Sequence, residues 1–271
     1  MRQRTITAFF FALIMLGGIY GGPHALFILF GLVVSIGAWE LGNLVFKQEE
    51  NHVRLRIVLV TLLTTSVYVW VGGDIMHWWT MNPFLATALI PVVFGVLATT
   101  ELFLAGKTPY PNLGIYFLSV FYLAIPLILL LMIAYGETYY PNRVLGLLLL
   151  VWTNDTGAYL FGRKLGKNKL FERISPNKTW EGTLGGAFFA LIIAWGLSYL
   201  ISDFTRTQWL VLSVVAAIGS NIGDLVESML KRSVGVKDSG SLMPGHGGIL
   251  DRFDAFVFCL PFYWLVLQML S

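Results

Sequence analysis

The chain has a single cysteine, Cys259, which rules out an internal disulfide and a cysteine-cluster zinc site. Charge is scarce as well. Only 12% of the 271 residues are Asp, Glu, Lys or Arg, against roughly 25% in soluble domains. A soluble protein of this length would have to cover its core with charged side chains, and they are missing. Long polar linkers are missing too: the longest, Gly162 to Trp180, has about nineteen residues, too few for an independent domain. There are no internal repeats or low-complexity tracts. What remains is 56% hydrophobic residues, gathered into windows of about 20, the length that spans a bilayer. The composition describes an integral membrane protein of the all-α class, a polytopic helix bundle forming one domain over residues 1–271.

The apolar windows predict about nine spans, near residues 6–21, 24–45, 54–72, 84–103, 113–133, 142–162, 181–201, 208–230 and 250–270. Arg2 and Arg4 before the first run resemble the start of a signal peptide. The run ends at Gly21-Gly22-Pro23, however, and bulky Tyr20 spoils a small-x-small cleavage site at Gly22. We therefore read a retained anchor, paired with the second span through a tight turn. Lysine and arginine gather in alternate links: Arg2 and Arg4; Lys47, Arg54 and Arg56; Lys107; Arg163 to Lys178; Lys231 to Arg252. The other links have only Arg143 and Arg206 at their edges. By the positive-inside rule the N-terminus is cytoplasmic and the C-terminus outside, in the cytoplasmic (inner) membrane. On this scheme Arg163, Lys164, Lys167, Lys169 and Arg173 are positive-inside residues touching anionic lipid. Most Phe and Trp residues are lipid-facing or belt residues.

The topology brings polar residues from distant parts of the chain to one depth. Asn154 and Asp155 fall near the cytoplasmic end of the sixth span, and Glu181 begins the seventh. Asn221, Asp224 and Glu227 close the eighth, and Asp251 and Asp254 open the ninth. Asn221/Asp224, Asp224/Glu227 and Asp251/Asp254 are i, i+3 pairs, so each pair shares a helix face. Ionised groups at membrane depth cost kcal/mol each and by default mark a functional site. Glu40 and Glu101, near helix ends, read instead as structural partners or solvated groups. His24, His52 and His77 have no supporting context.

The stretch Asn221–Asp254 concentrates this chemistry. It holds Asp224, Glu227, Asp238, Asp251 and Asp254 together with Lys231, Arg232, Lys237 and Arg252. Facing carboxylates repel unless a cation sits between them, and oxygen ligands select hard ions such as magnesium, which shares its shell with substrate phosphates. The cations beside them make sense as clamps on phosphate oxygens. Pro244-Gly245-His246-Gly247-Gly248 allows close backbone approach and leads into a helix start, which favours anions. His246 either orients this loop or touches phosphate. A second polar link, Ser175-Pro176-Asn177-Lys178-Thr179-Trp180-Glu181-Gly182, lacks the complete G-x-x-x-x-G-K-[ST] pattern, so a nucleotide must be held in another way. Together these features suggest phosphoryl or nucleotidyl transfer, with the catalytic region mainly in 142–271.

Ser228, Lys231-Arg232, Lys237-Asp238, His246-Gly247-Gly248, Asp251-Arg252 and Asp254 resemble, at fixed spacing, the signature of the CDP-diacylglycerol synthases, also called phosphatidate cytidylyltransferases. The Ser175–Gly182 link and Asn154-Asp155 are similar to that family as well. Met243 departs from its usual Leu, Ile or Phe, an apolar swap that should be tolerated. The resemblance implies transfer of CMP from CTP to phosphatidate, giving CDP-diacylglycerol and pyrophosphate. It implies Mg2+ as cofactor, with a second divalent or monovalent ion allowed. Asp224, Asp251 and Asp254 are then the expected metal ligands. Asp224, Asp251, Lys231, Arg232, Lys237 and Arg252 are the expected catalytic residues. Ser175, Asn177, Lys178, His246, Gly247 and Gly248 are expected to bind substrate. The expected partners are CTP, phosphatidate and membrane lipid, with a homodimer permitted and no nucleic acid. Asn154, Asp155 and Glu227 receive no role. A CTP-dependent lipid kinase is the alternative; a cation-coupled transporter would leave the clustered glycines and cations without purpose. The D-G-x-x-A-R start of the CDP-alcohol phosphotransferases is absent.

Overall fold

The computed structural model describes residues 2–46, 52–240, 242 and 247–270, with side chains from Thr7 onward. The helices are α1 (Arg2–Tyr20), α2 (Pro23–Val45), α3 (Val53–Ile75), α4 (Pro83–Leu104), α5 (Pro109–Ser119), α6 (Ile125–Ala134), α7 (Pro141–Leu165), α8 (Trp180–Leu200), α9 (Arg206–Ser233) and α10 (Leu250–Leu270). α5 and α6 are joined by a π-helical turn, Val120–Ala124, into one continuous apolar segment, Pro109–Ala134. Among the described residues, eight segments are long and apolar enough to cross a membrane, and the apolar part of α1, Thr7–Tyr20, is shorter.

Helix ends follow local chemistry. Proline opens α2, α4, α5 and α7, where its missing N–H is not needed. Asn82 caps α4 by accepting from Phe84 N and Leu85 N. Thr205 and Gln208 form a reciprocal capping box at α9. The π turn precedes Pro126, whose ring nitrogen cannot donate to the preceding turn. The wider turn carries the chain past that defect.

The structure is the helical bundle that composition describes, and the Gly162–Trp180 link adds a short antiparallel hairpin, β1 (Lys169–Phe171) and β2 (Ser175–Thr179). Glu181 closes its base. Its carboxylate accepts from Lys167 N at 3.1 Å, Asn168 N at 3.2 Å and Asn168 Nδ2 at 2.7 Å. Thr179 Oγ1 then caps α8 by accepting from Gly182 N at 3.2 Å. The hairpin is therefore pinned directly to a helix start.

In lipid, helix pairing rests on close packing of small residues rather than on excluding water. A Cβ added at Gly157 would lie 3.0 Å from Gly186 Cα, and one at Gly182 3.1 Å from Gly162 Cα, so α7 and α8 touch backbone to backbone. Gly223 does the same for α9 and α10, where a Cβ would lie 3.0 Å from Asp254 O and 3.1 Å from Ala255 Cα. The main core runs through Phe30 and Leu41 on α2, Leu127 and Leu130 on α6, Leu147 on α7, Trp209 and Leu212 on α9, and Phe256 and Leu260 on α10. A smaller cluster, including Phe46, Ile57, Leu97 and Tyr116, ties α4 and α5 to α3.

Candidate active site

A cavity of about 780 Å³ opens among α7, β2, α8, α9 and the start of α10. α7 supplies Asp155, Tyr159 and Arg163, spaced four residues apart and hence on one helix face. β2 supplies Ser175, Asn177 and Lys178, α9 supplies Asn221, Asp224, Ser228, Lys231 and Arg232, and the following link adds Lys237 and Asp238. α10 contributes Asp251, Arg252 and Asp254. The close α9–α10 approach at Gly223 explains why Asp224 and Asp254 reach the same space.

Two lysines organise the acids. Lys178 Nζ lies 2.6 Å from Asp224 Oδ2 and donates to Asn221 O at 3.2 Å. Ser228 Oγ donates to Asp224 Oδ1 at 3.2 Å. Lys231 Nζ lies 2.6 Å from Asp251 Oδ1 and 3.4 Å from Glu227 Oε1. Asp251 Oδ2 accepts from Gly248 N at 2.8 Å and from Ser239 N and Oγ, each at 2.9 Å. Gly247 has φ of 82°, and a Cβ there would lie 2.5 Å from Asp251 Oδ2. Only glycine meets both conditions. Behind the cavity, buried Asn154 donates to Ser220 Oγ at 2.8 Å and accepts from Asn221 Nδ2 at 3.3 Å, locking α7 to α9.

The structure therefore places Asp224, Asp251, Asp254, Lys231, Arg232, Lys237, Arg252, Ser175, Asn177 and Lys178 around one cavity. Gly247 and Gly248 do not line it; they close on Asp251. His246 lies outside the described residues. Asp155, left without a role by sequence reasoning, is in the wall, as is Arg163, which the charge pattern had directed to lipid. The Asp155/Tyr159/Arg163 spacing was the signal available for both. Glu227 is fully buried beside Lys231 and outside the described wall, and Glu181 serves the hairpin.

Among the described residues no three His, Cys, Asp or Glu side chains are already arranged around a metal position. The donor chemistry nevertheless fits a hard cation: Asp224, Asp251 and Asp254 are all oxygen donors on one cavity. Two of the three already have an ammonium group at 2.6 Å, so each of those carboxylates faces a positive charge. The charge balance agrees. Asp155, Asp224, Asp238, Asp251 and Asp254 nearly cancel Arg163, Lys178, Lys231, Arg232, Lys237 and Arg252. A divalent ion on such a wall would add positive charge beside bound phosphates.

A smaller cavity of about 300 Å³ adjoins the first and shares Asp155, Asp251, Arg252 and Asp254 with it. Its remaining walls include Ala8, Phe11 and Ala12 of α1, Val151 and Trp152 of α7, and Phe256 of α10. The same acids and arginine are thus reached from a polar side and from an apolar side.

A helical membrane bundle with acids, lysines and arginines around a cavity this size is suited to receiving phosphate groups. The comparisons with known proteins are specific. The cytidylyltransferase family matches residues 2–270, and the chain belongs to that family. It is 36% identical over 273 residues to a phosphatidate cytidylyltransferase of Staphylococcus aureus (strain COL), covering 96% of each chain. Proteins of the same description from Staphylococcus saprophyticus and Staphylococcus haemolyticus are 34% and 36% identical, again over 96% of each chain.

Proposed function

We propose that this protein transfers CMP from CTP to phosphatidate, giving CDP-diacylglycerol and pyrophosphate. The observation that carries the reading is the 780 Å³ cavity, where facing carboxylates and six cations meet in a chain of this family. The phosphate of phosphatidate is already anionic near neutral pH. An oxygen of that phosphate attacks the α-phosphorus of CTP; the new P–O bond forms as the bond to the β-phosphate oxygen breaks, and pyrophosphate leaves. The protein's task is to hold attacking and leaving oxygens in line and to neutralise charge.

Lys231, Arg232, Lys237 and Arg252 contact phosphate oxygens in this reading, with Lys178 beside them on β2. Ser175 and Asn177 line the nucleotide's cavity, and Gly247 and Gly248 bring the backbone close to Asp251. Asp224, Asp251 and Asp254 would hold Mg2+, which when bound offsets charge on the phosphates. The apolar-walled cavity between α1, α7 and α10 suits the acylglycerol end of the lipid, with Arg252 at the junction. The cation-rich link carrying β1 and β2 and the link before α10 face the cytoplasm, which puts nine spans across the inner membrane with the C-terminus outside. Cysteine labelling from each side tests this topology; modification of either link from outside alone would sink it.

The phosphorus under attack separates this reading from a CTP-dependent kinase. With purified protein, phosphatidate and magnesium, α-labelled CTP should deliver its label to the chloroform phase. With γ-labelled CTP the label should stay in water. The reverse pattern would make the protein a kinase, and no lipid label from either would leave neither reading standing. Chelating magnesium should stop incorporation, and restoring the ion should recover it.

A further inference from the structure

Glu40 stands on α2, a helix that contributes nothing to the described wall of the large cavity. Its side chain is buried, and donors from the far end of the chain converge on it. Ile249 N donates to Oε1 at 3.0 Å, Leu250 N donates to Oε2 at 2.9 Å, and Ser239 Oγ lies 3.3 Å from Oε2. Gly240 and Gly248 lie close against the carboxylate: a Cβ at Gly240 would lie 2.7 Å from Oε1, and one at Gly248 2.4 Å from Oε2. A helix start normally finds its acceptor in the residue just before it. Here the acceptor comes from another helix, about two hundred positions away.

Ser239 and Gly248, the latter just before α10, also hold Asp251, together with Lys231. Ser239 presents both its N–H and its hydroxyl to Asp251 Oδ2, while the same hydroxyl faces Glu40. Glu40 and Asp251 thus share Ser239 and divide between them the amides of Gly248, Ile249 and Leu250. We propose that Glu40 is a positioning residue for nucleotidyl transfer, fixing through Ser239 and the first turn of α10 where the Asp251 carboxylate stands in the cavity. This deepens the reading of the site given above and rests on it. Glutamine at position 40 keeps the size but replaces one acceptor oxygen with a donor. One of the Ile249 and Leu250 amides is then left facing an N–H and unpaired in a dry interior. A shift of about 1 Å at a reacting group costs on the order of 10²-fold in rate.

The test uses the full chain in nanodiscs as Glu40→Gln, Ser239→Ala and the double variant. Glu40→Gln should lower kcat by about 10- to 100-fold and leave KM for phosphatidate within about threefold, because ground-state lipid binding is not what the clamp serves. Hydrogen exchange should quicken at Ile249 and Leu250 and stay unchanged across the α7–α8 contact. Ser239→Ala should lower kcat less, and the double variant should be no slower than Glu40→Gln alone, since both act through one link. Normal kcat in folded Glu40→Gln, losses that multiply in the double variant, or unchanged exchange at Ile249 and Leu250 would overturn the proposal. If Glu40→Gln does not accumulate, Ser239→Ala decides, because it leaves Glu40 its two amides; full kcat there also overturns it. An unmodified protein that puts no α label into lipid would defeat the functional reading itself, a result separate from any of these.

Discussion

Two ionic clusters in this bundle, one closed and one open, can be set side by side. On α3, α4 and α5, Arg56 and Glu101 form a pair at 2.9 Å, with side chains 0% and 1% exposed. Asn112 Nδ2 and Tyr116 OH add donors to the same carboxylate at 3.2 and 3.0 Å. Each Glu101 oxygen is therefore matched, and the cluster does not line the large cavity. On α9 and α10, Asp224 and Asp251 carry lysines at 2.6 Å yet border a 780 Å³ cavity shared with Asp155, Asp254 and further cations. Both clusters put charge where charge is costly. What separates structure from chemistry is the open space: a closed pair spends its interactions on itself, while an open one keeps them for a ligand.

The largest expected effect comes from the open cluster. Asp251→Asn or Asp224→Asn should cut turnover by at least about 10²–10³-fold, the loss associated with removing a transition-state interaction. The protein should still elute from a sizing column as the native species. Near-normal turnover at saturating magnesium would remove that residue from the chemistry. The closed cluster should answer in the opposite currency of stability. Glu101→Gln leaves Arg56 buried without its counter-charge and should cost about 3–5 kcal/mol, read as a lowered thermal midpoint in detergent, with turnover per folded molecule unchanged. A drop in turnover at full stability would erase the distinction between the clusters. Lys178→Met should raise KM for CTP by about tenfold or more, from the roughly 1.5–3 kcal/mol of a hydrogen bond to a charged group. The smallest effect belongs to Arg163 on the cavity wall. Arg163→Ala should change KM for CTP by no more than about fivefold, in line with about 0.2–1 kcal/mol for exposed pairs. Sensitivity to anionic lipid without any change toward CTP would return Arg163 to the lipid-facing role its charge pattern suggested.

Much of the helix layout could be read from hydropathy, and where that reading fell short the causes are local. The sixth and eighth spans were expected at 142–162 and 208–230, and the helices run Pro141–Leu165 and Arg206–Ser233. Hydropathy stops at the first charges, but backbone hydrogen bonding does not: Lys231 and Arg232 continue α9 as its last turn. The hairpin left no clear periodic trace, since Ser175–Thr179 includes a proline and little β-favouring side chain. It is held by contacts to Glu181 that only the fold brings together. The acids of Asn221–Asp254 were legible because charge inside apolar runs is rare. Glu40 was noticed for the same reason, but its partners lie about two hundred positions later in the chain, a link that no local pattern carries.

That separation has a consequence for synthesis. The Glu40 contacts to Ile249 and Leu250 span 209 and 210 positions of the chain, so they close only once the start of α10 has been made. A nascent chain emerges at about 5–20 residues per second, N-terminal parts first. Glu40 on α2 therefore meets these amides only after the intervening helices have been made. A chain truncated before α10 would carry Asp224 and Lys178 but neither Asp251 nor the amides that meet Glu40. The insertion of α10 is in this sense what joins the two halves of the candidate site.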